Sequence, residues 1–137
     1  MSEKTVRYLN QWLPLQLLKA TLVSLLLLNP GETNGSKKIS FNRDIRPILS
    51  ANCFSCHGPD KKARKAKLRL DTQEGAMADL GGYRALEPGK ANNSELILRI
   101  ESHDPDDVMP PPDSGHELTD NDRKVLRQWV LKGGKYE

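Results

Sequence analysis

Apolar positions follow three different rhythms along this chain. Ala20 to Leu28 is a nine-residue, mostly apolar run, preceded by Lys4, Arg7 and Lys19 and ended by Asn29-Pro30-Gly31. A basic stretch, a short apolar core and a breaker read as a secretory signal peptide, with Thr33-x-Gly35 before Ser36 as its small-residue exit. A spanning helix needs about 20 residues, so the run is too short for one. The upstream Leu13-Pro14-Leu15-Gln16-Leu17-Leu18 keeps an uncleaved amphipathic anchor as the second reading. Residues 1–35 are therefore set apart from fold reasoning, and 36–137 are expected to form one domain.

From Phe41 the rhythm becomes helical. Phe41, Ile45, Ile48 and Leu49 make one stripe, predicting a helix capped by Ser40 or Asn42 and running to about Asn52. Pro47 is tolerable near its start, where a missing N–H costs little. Ser94 is the expected cap of a second helix, Glu95 to about Glu101, with Leu96, Ile97 and Ile100 inward. A third begins at Thr119, where Thr119-x-x-Asp122 resembles a capping box. Leu118, Val125, Leu126, Trp129 and Val130 form its buried stripe, and Gly133-Gly134 stops it. Between these elements the pattern weakens. Leu68-Arg69-Leu70-Asp71 alternates and predicts a short extended segment. Residues 72–93, rich in Gly and Asn, predict an irregular loop, and residues 104–113 a proline-rich one.

Composition narrows the function classes. A length of 137 residues suits one core. A net charge of +3 is far below that of a dedicated nucleic-acid binder, so no nucleic-acid partner is expected. A mean hydropathy of −0.63 excludes a polytopic membrane protein. Two Phe, two Trp and three Tyr are a thin aromatic supply for about 100 residues of domain. Loops this long are unusual in a small domain unless they wrap something large.

The cysteines say what that is. Cys53 and Cys56 stand three apart and His57 follows, giving Cys53-Phe54-Ser55-Cys56-His57. A disulfide closing so short a loop removes little unfolded-state entropy. Cys-x-x-Cys-His is the signature of covalent c-type haem attachment, and this composition would produce it by chance about 3 times in 10,000. Each thiol adds across one porphyrin vinyl group, and the adjacent imidazole turns under the iron as proximal ligand. Competing readings are weaker: a zinc site needs four ligands, and a thioredoxin-like pair needs a βαβ context. The Gly58-Pro59 turn raises two readings, a plain turn or a carbonyl, that of Pro59, accepting a hydrogen bond from the free nitrogen of His57.

The iron has a second face. Met109, Met77, His103 and His116 are the candidates, and Met109 is preferred because Pro110-Pro111-Pro112 stiffens its loop. His/Met ligation favours ferrous iron and a raised potential; an open sixth position would admit small ligands. Lys61 to Arg69 carries six basic residues in nine, either a solvated loop or a positive rim steering an acidic redox partner. No hydrolytic triad or phosphate-cradling loop occurs, so an electron carrier is expected rather than an enzyme.

Several motifs in order resemble the planctomycete-type cytochrome c domain. They are Phe41 to Leu49, Cys53 to Pro59, Leu68-Arg69-Leu70-Asp71, Pro88-Gly89, Ser94-x-Leu96, Met109-Pro110-Pro111 and Leu126-x-x-Trp129-Val130. The resemblance spans about Ile39 to Gly134. It implies an all-α, class I cytochrome c-like fold: three to four helices and long irregular loops around one haem c. It implies Cys53 and Cys56 as attachment points, His57 as proximal and Met109 as distal ligand, and a periplasmic or otherwise exported location. In that family the domain often opens a longer exported protein. This chain stops soon after the last helix, so three readings stand: a free-standing carrier, a shortened relative, or an electron-entry domain of a larger oxidoreductase. A haem sensor or peroxidase-like module with a displaceable sixth ligand is the rival function.

Overall fold

The computed structural model describes residues 38–137. The expected signal or anchor segment, 1–35, lies outside the described residues. Five helices occur among the described residues, and no strand: α1 (Arg46–Asn52), α2 (Phe54–His57), α3 (Gln73–Met77), α4 (Glu95–Ile100) and α5 (Asp120–Leu131). A π-turn, Phe41–Ile45, leads into α1, and a 3-10 turn, Ala91–Asn93, precedes α4.

The first predicted helix is thus two pieces. The stripe holds, with Phe41, Ile45 and Leu49 buried and Ile48 packed against them. The α-helical geometry begins only at Arg46, with Pro47 in its first turn. Ser40 does not cap through its hydroxyl. Instead its backbone N–H donates to Asp44 Oδ2 at 2.9 Å, a carboxylate reaching back to the helix entrance.

The last helix matches its pattern closely. Thr119 Oγ1 accepts from the Asp122 N–H at 3.1 Å, and Asp122 Oδ2 accepts from the Thr119 N–H at 3.0 Å. Both arms of the capping box are therefore present. Leu118, Leu126, Trp129 and Val130 are buried. After Leu131 the chain turns through Gly133 and Gly134, both at positive φ. Gly134 also has no room for a side chain, since a Cβ there would lie 2.6 Å from Leu86 Cδ2.

The core gathers the inner faces of the π-turn, α1, α4 and α5. Phe41, Trp129 and Tyr136 form an aromatic cluster with ring centroids 4.2–5.8 Å apart. Trp129 Nε1 donates to the Lys135 carbonyl at 2.9 Å, and the Tyr136 hydroxyl donates to the Leu70 carbonyl at 3.0 Å. Buried aromatic rings thus have their polar ends satisfied. Burial also pushes the Tyr136 hydroxyl well above its ordinary pKa.

Two expectations need correcting. Residues 72–93 are not wholly irregular. Thr72 caps the five-residue α3, accepting from the Gly75 N–H at 3.1 Å, and Ala76, Ala85, Leu86 and Ala91 are buried. Small apolar residues among glycines hide this packing from a periodicity argument. Second, Ser94 stands at the N-cap position of α4 without a side-chain capping bond. Its fully buried hydroxyl donates to the Lys90 carbonyl and accepts from the Glu87 N–H, both at 2.9 Å. The hydroxyl satisfies the buried backbone of the preceding loop, which would otherwise lack partners.

Candidate functional site

The motif's local geometry follows from one carbonyl. Cys53 sits between α1 and α2, its own N–H donating to the Leu49 carbonyl at 2.8 Å. Its carbonyl then accepts from the N–H of Cys56 at 3.1 Å and of His57 at 2.7 Å. A single turn therefore carries both thiols and the imidazole. Gly58 ends that turn because nothing larger fits: a Cβ there would come within 2.3 Å of the Phe54 carbonyl oxygen.

The chain after the motif is tied back to it. Lys65 N–H donates to the Cys56 carbonyl, and Leu70 N–H to the His57 carbonyl, both at 2.8 Å. Arg64 closes the intervening loop, with Nε donating to the Gly58 carbonyl at 3.0 Å and Nη2 to the Pro59 carbonyl at 2.9 Å. The Pro59 carbonyl is thus engaged by Arg64 and not by His57. Sequence alone did not reveal this role of Arg64, which lay inside a run of look-alike cations.

Cys53, Cys56 and His57 line one cavity of ≈ 330 Å³, together with Met109 and His116. That volume lies at the low end of ligand-binding clefts, about 300–1,000 Å³. Leu68 and Leu70 form part of its apolar wall, as do Leu80, Tyr83 and Ala85 from the glycine-rich segment and Leu96 and Ile100 from α4. The 68–71 stretch forms no strand and bends at Leu70 and Asp71, with Leu70 buried. Met109 is held in the wall by its N–H, which donates to the Arg99 carbonyl at 3.0 Å. Arg99 is itself paired with Glu95 at 2.7 Å and Asp107 at 3.4 Å. The Met109-Pro110 peptide bond is cis. His103, on the surface, and Met77, packed against the core, are not among the residues lining this cavity. A second cleft, ≈ 560 Å³, is lined by residues including Arg46, Asp71 and Glu74 and contains no Cys, His or Met.

Both cysteines are free thiols, Cys53 buried and Cys56 exposed. Burial, assisted by the neighbouring Cys56, pushes Cys53 up to about 12, so it stays protonated. Burial lowers His57, partly offset by the nearby Lys65 carbonyl. His57 Nδ1 is sealed from solvent yet makes no hydrogen bond of good geometry. A buried polar atom left so costs about 1–3 kcal/mol. The lowered pKa favours the neutral imidazole, the form suited to metal ligation. Ser55 Oγ lies 3.5 Å from His116 Nε2, which brings His116 beside the motif turn. Among the described residues, no three or more His, Cys, Asp or Glu are arranged to hold a metal ion directly.

These donors fit a porphyrin. An apolar slot is bordered by two unpaired thiols at Cys-x-x-Cys spacing, a neutral imidazole on the same turn, and a thioether on another segment. Fold and site together define a small all-α, cytochrome-like domain. Residues 53–113 match the family model of planctomycete cytochrome C, as the motif resemblance indicated. A cytochrome c domain of this kind implies a covalently bound haem. No curated protein and no solved structure matches the chain.

Proposed function

We propose that this protein is an exported monohaem c-type cytochrome that carries single electrons, with His57 and Met109 as the axial ligands of the iron. The observation that carries this reading is that one cavity is lined by Cys53, Cys56, His57 and Met109 at once. In the fold, Cys53 and Cys56 offer thiols for two thioethers, and the motif turn holds them on a rigid helical step. When bound, the haem supplies a reversible one-electron couple. The chain's own task is to fix the ligands and keep water from the ring. Arg64 and the Lys65 and Leu70 main-chain bonds hold the proximal segment. The bond from Met109 to the Arg99 carbonyl holds the distal loop, so the chain rearranges little as charge changes.

The basic residues from Lys61 to Arg69 border the cavity through Lys65 and Ala66, so a redox partner that docks there offers carboxylates to them. His116 shares that wall and is the second reading for the sixth ligand. Membrane attachment, if it occurs, comes through residues 1–35.

The test is expression with a c-type maturation system. The expected product shows a pyridine haemochrome spectrum, a mass increased by one haem, and a methionine-to-iron charge-transfer band when oxidised. A colourless product at the bare polypeptide mass overturns the haem reading. A haem protein lacking the methionine band moves ligation to His116, or leaves the sixth position open as in a sensor or peroxidase-like module.

A further inference from the structure

We propose that the mouth of this cavity is a docking surface for a second copy of the same chain. The two stretches that border it are oppositely charged. Residues 61–69 hold six Lys or Arg and no acid; residues 101–122 hold eight Asp or Glu and no Lys or Arg. The first contributes Lys65 and Ala66 to the wall, the second Met109, Pro110, Pro111, Ser114 and His116. Over residues 38–137 the balance is 17 basic to 16 acidic, so the segregation creates a dipole across the mouth with almost no net charge to repel another copy.

Much of this charge is uncommitted. Arg64 is bound to carbonyls and Arg69 to Asp71. Lys61, Lys62, Lys65 and Lys67 are exposed and form no ion pair among the described residues. The same holds for Asp104, Asp106, Asp113 and Glu117 on the other stretch. No salt bridge joins one stretch to the other, although both line one cavity. A uniformly acidic partner would satisfy the lysines and be repelled by the carboxylates. A second copy in twofold relation satisfies both, each basic stretch meeting the acidic stretch of its mate. Tyr83, 46% exposed and part of the cavity wall, supplies an amphipathic ring of the kind that anchors interfaces.

Such a pair sets the two cavity mouths against each other. Resting on the proposed haem reading, the pair allows a reduced copy to lose one electron and an oxidised copy to gain it, with no proton or co-reactant needed.

The experiment uses the haem-loaded protein in sedimentation velocity, with haem content measured on the same samples. Concentration-dependent dimerisation is expected at ~20 mM salt, weakening at least tenfold by ~200 mM because exposed charges are screened. Lys61→Glu/Lys62→Glu/Lys65→Glu and, separately, Asp106→Lys/Asp113→Lys/Glu117→Lys are each expected to be monomeric. Mixed one to one, the two variants are expected to form a heterodimer. A wild type that stays monomeric to ~1 mM at low salt overturns the proposal. So do variants that self-associate like the wild type, a mixture that fails to pair, or binding of polyglutamate in place of self-association. Dimers of a haem-free chain leave this surface standing and sink the haem reading; a haem-loaded monomer does the reverse.

Discussion

Around Trp129, three aromatic rings pack against one another, the indole N–H and the Tyr136 hydroxyl reach carbonyls, and Ile45, Leu49, Leu126 and Val130 are sealed from solvent. Around His57, the wall is lined by four leucines from three separate segments, a buried Nδ1 has no partner, and one thiol faces solvent. The first region is completed by its own side chains. The second is a shell with apolar walls and unsatisfied donors, in a domain whose helices, α5 apart, have seven residues or fewer. In the first region the polypeptide supplies the packing. In the second, the haem implied by the family match would supply it, in keeping with the scarcity of aromatic residues in a chain of this length.

The sharpest way to break this contrast is Cys53→Ala/Cys56→Ala. Loss of bound haem and of cooperative thermal unfolding is expected, read by pyridine haemochrome and circular dichroism; a colourless variant that still melts cooperatively would refute it. Next comes Leu126→Ala, which opens a cavity in the self-sufficient region. A loss of about 2–5 kcal/mol in denaturant titration is expected, with haem still attached. Met109→Ala acts on the other region alone. The oxidised holoprotein should lose its methionine-to-iron band and its potential should fall, while His116→Ala keeps both; the opposite pattern would make His116 the ligand.

Smaller effects refine the picture. Thr119→Ala removes one arm of the α5 capping box and should cost about 1 kcal/mol without altering the absorption spectrum. The smallest concerns Asp71, whose carboxyl is held below the ordinary aspartate pKa chiefly by its hydrogen bond to Arg69. A depressed folded-state pKa gives stability that is present above the unfolded pKa and lost as pH falls through the folded one. Asp71→Asn should therefore lower stability slightly at neutrality and flatten the acid limb below about pH 4, so that variant and wild type converge as pH falls, measured by melting across pH.

Periodicity located α4 and α5 and their buried faces. It also found the stripe of Phe41, Ile45 and Leu49, because a 3.6-residue repeat survives even where the backbone opens into a π-turn. It missed α3 and the packing of Ala85 and Leu86, since five residues offer barely one period and small side chains give little contrast. The motif singles out candidate haem donors because thioether chemistry demands a fixed local spacing. Local chemistry and local repeats are properties of the chain and can be read from it.

What the sequence by itself determined, then, is the helical stripes, the capping box at Thr119 and the local grouping of Cys53, Cys56 and His57 on one turn. Only the tertiary structure decided that Met109 and His116 share that cavity while Met77 and His103 do not line it. It also decided that Arg64, and not His57, holds the Pro59 carbonyl. These outcomes depend on contacts between segments far apart in sequence, or on competition among several donors for one carbonyl. No repeat or spacing along the chain encodes which of them wins.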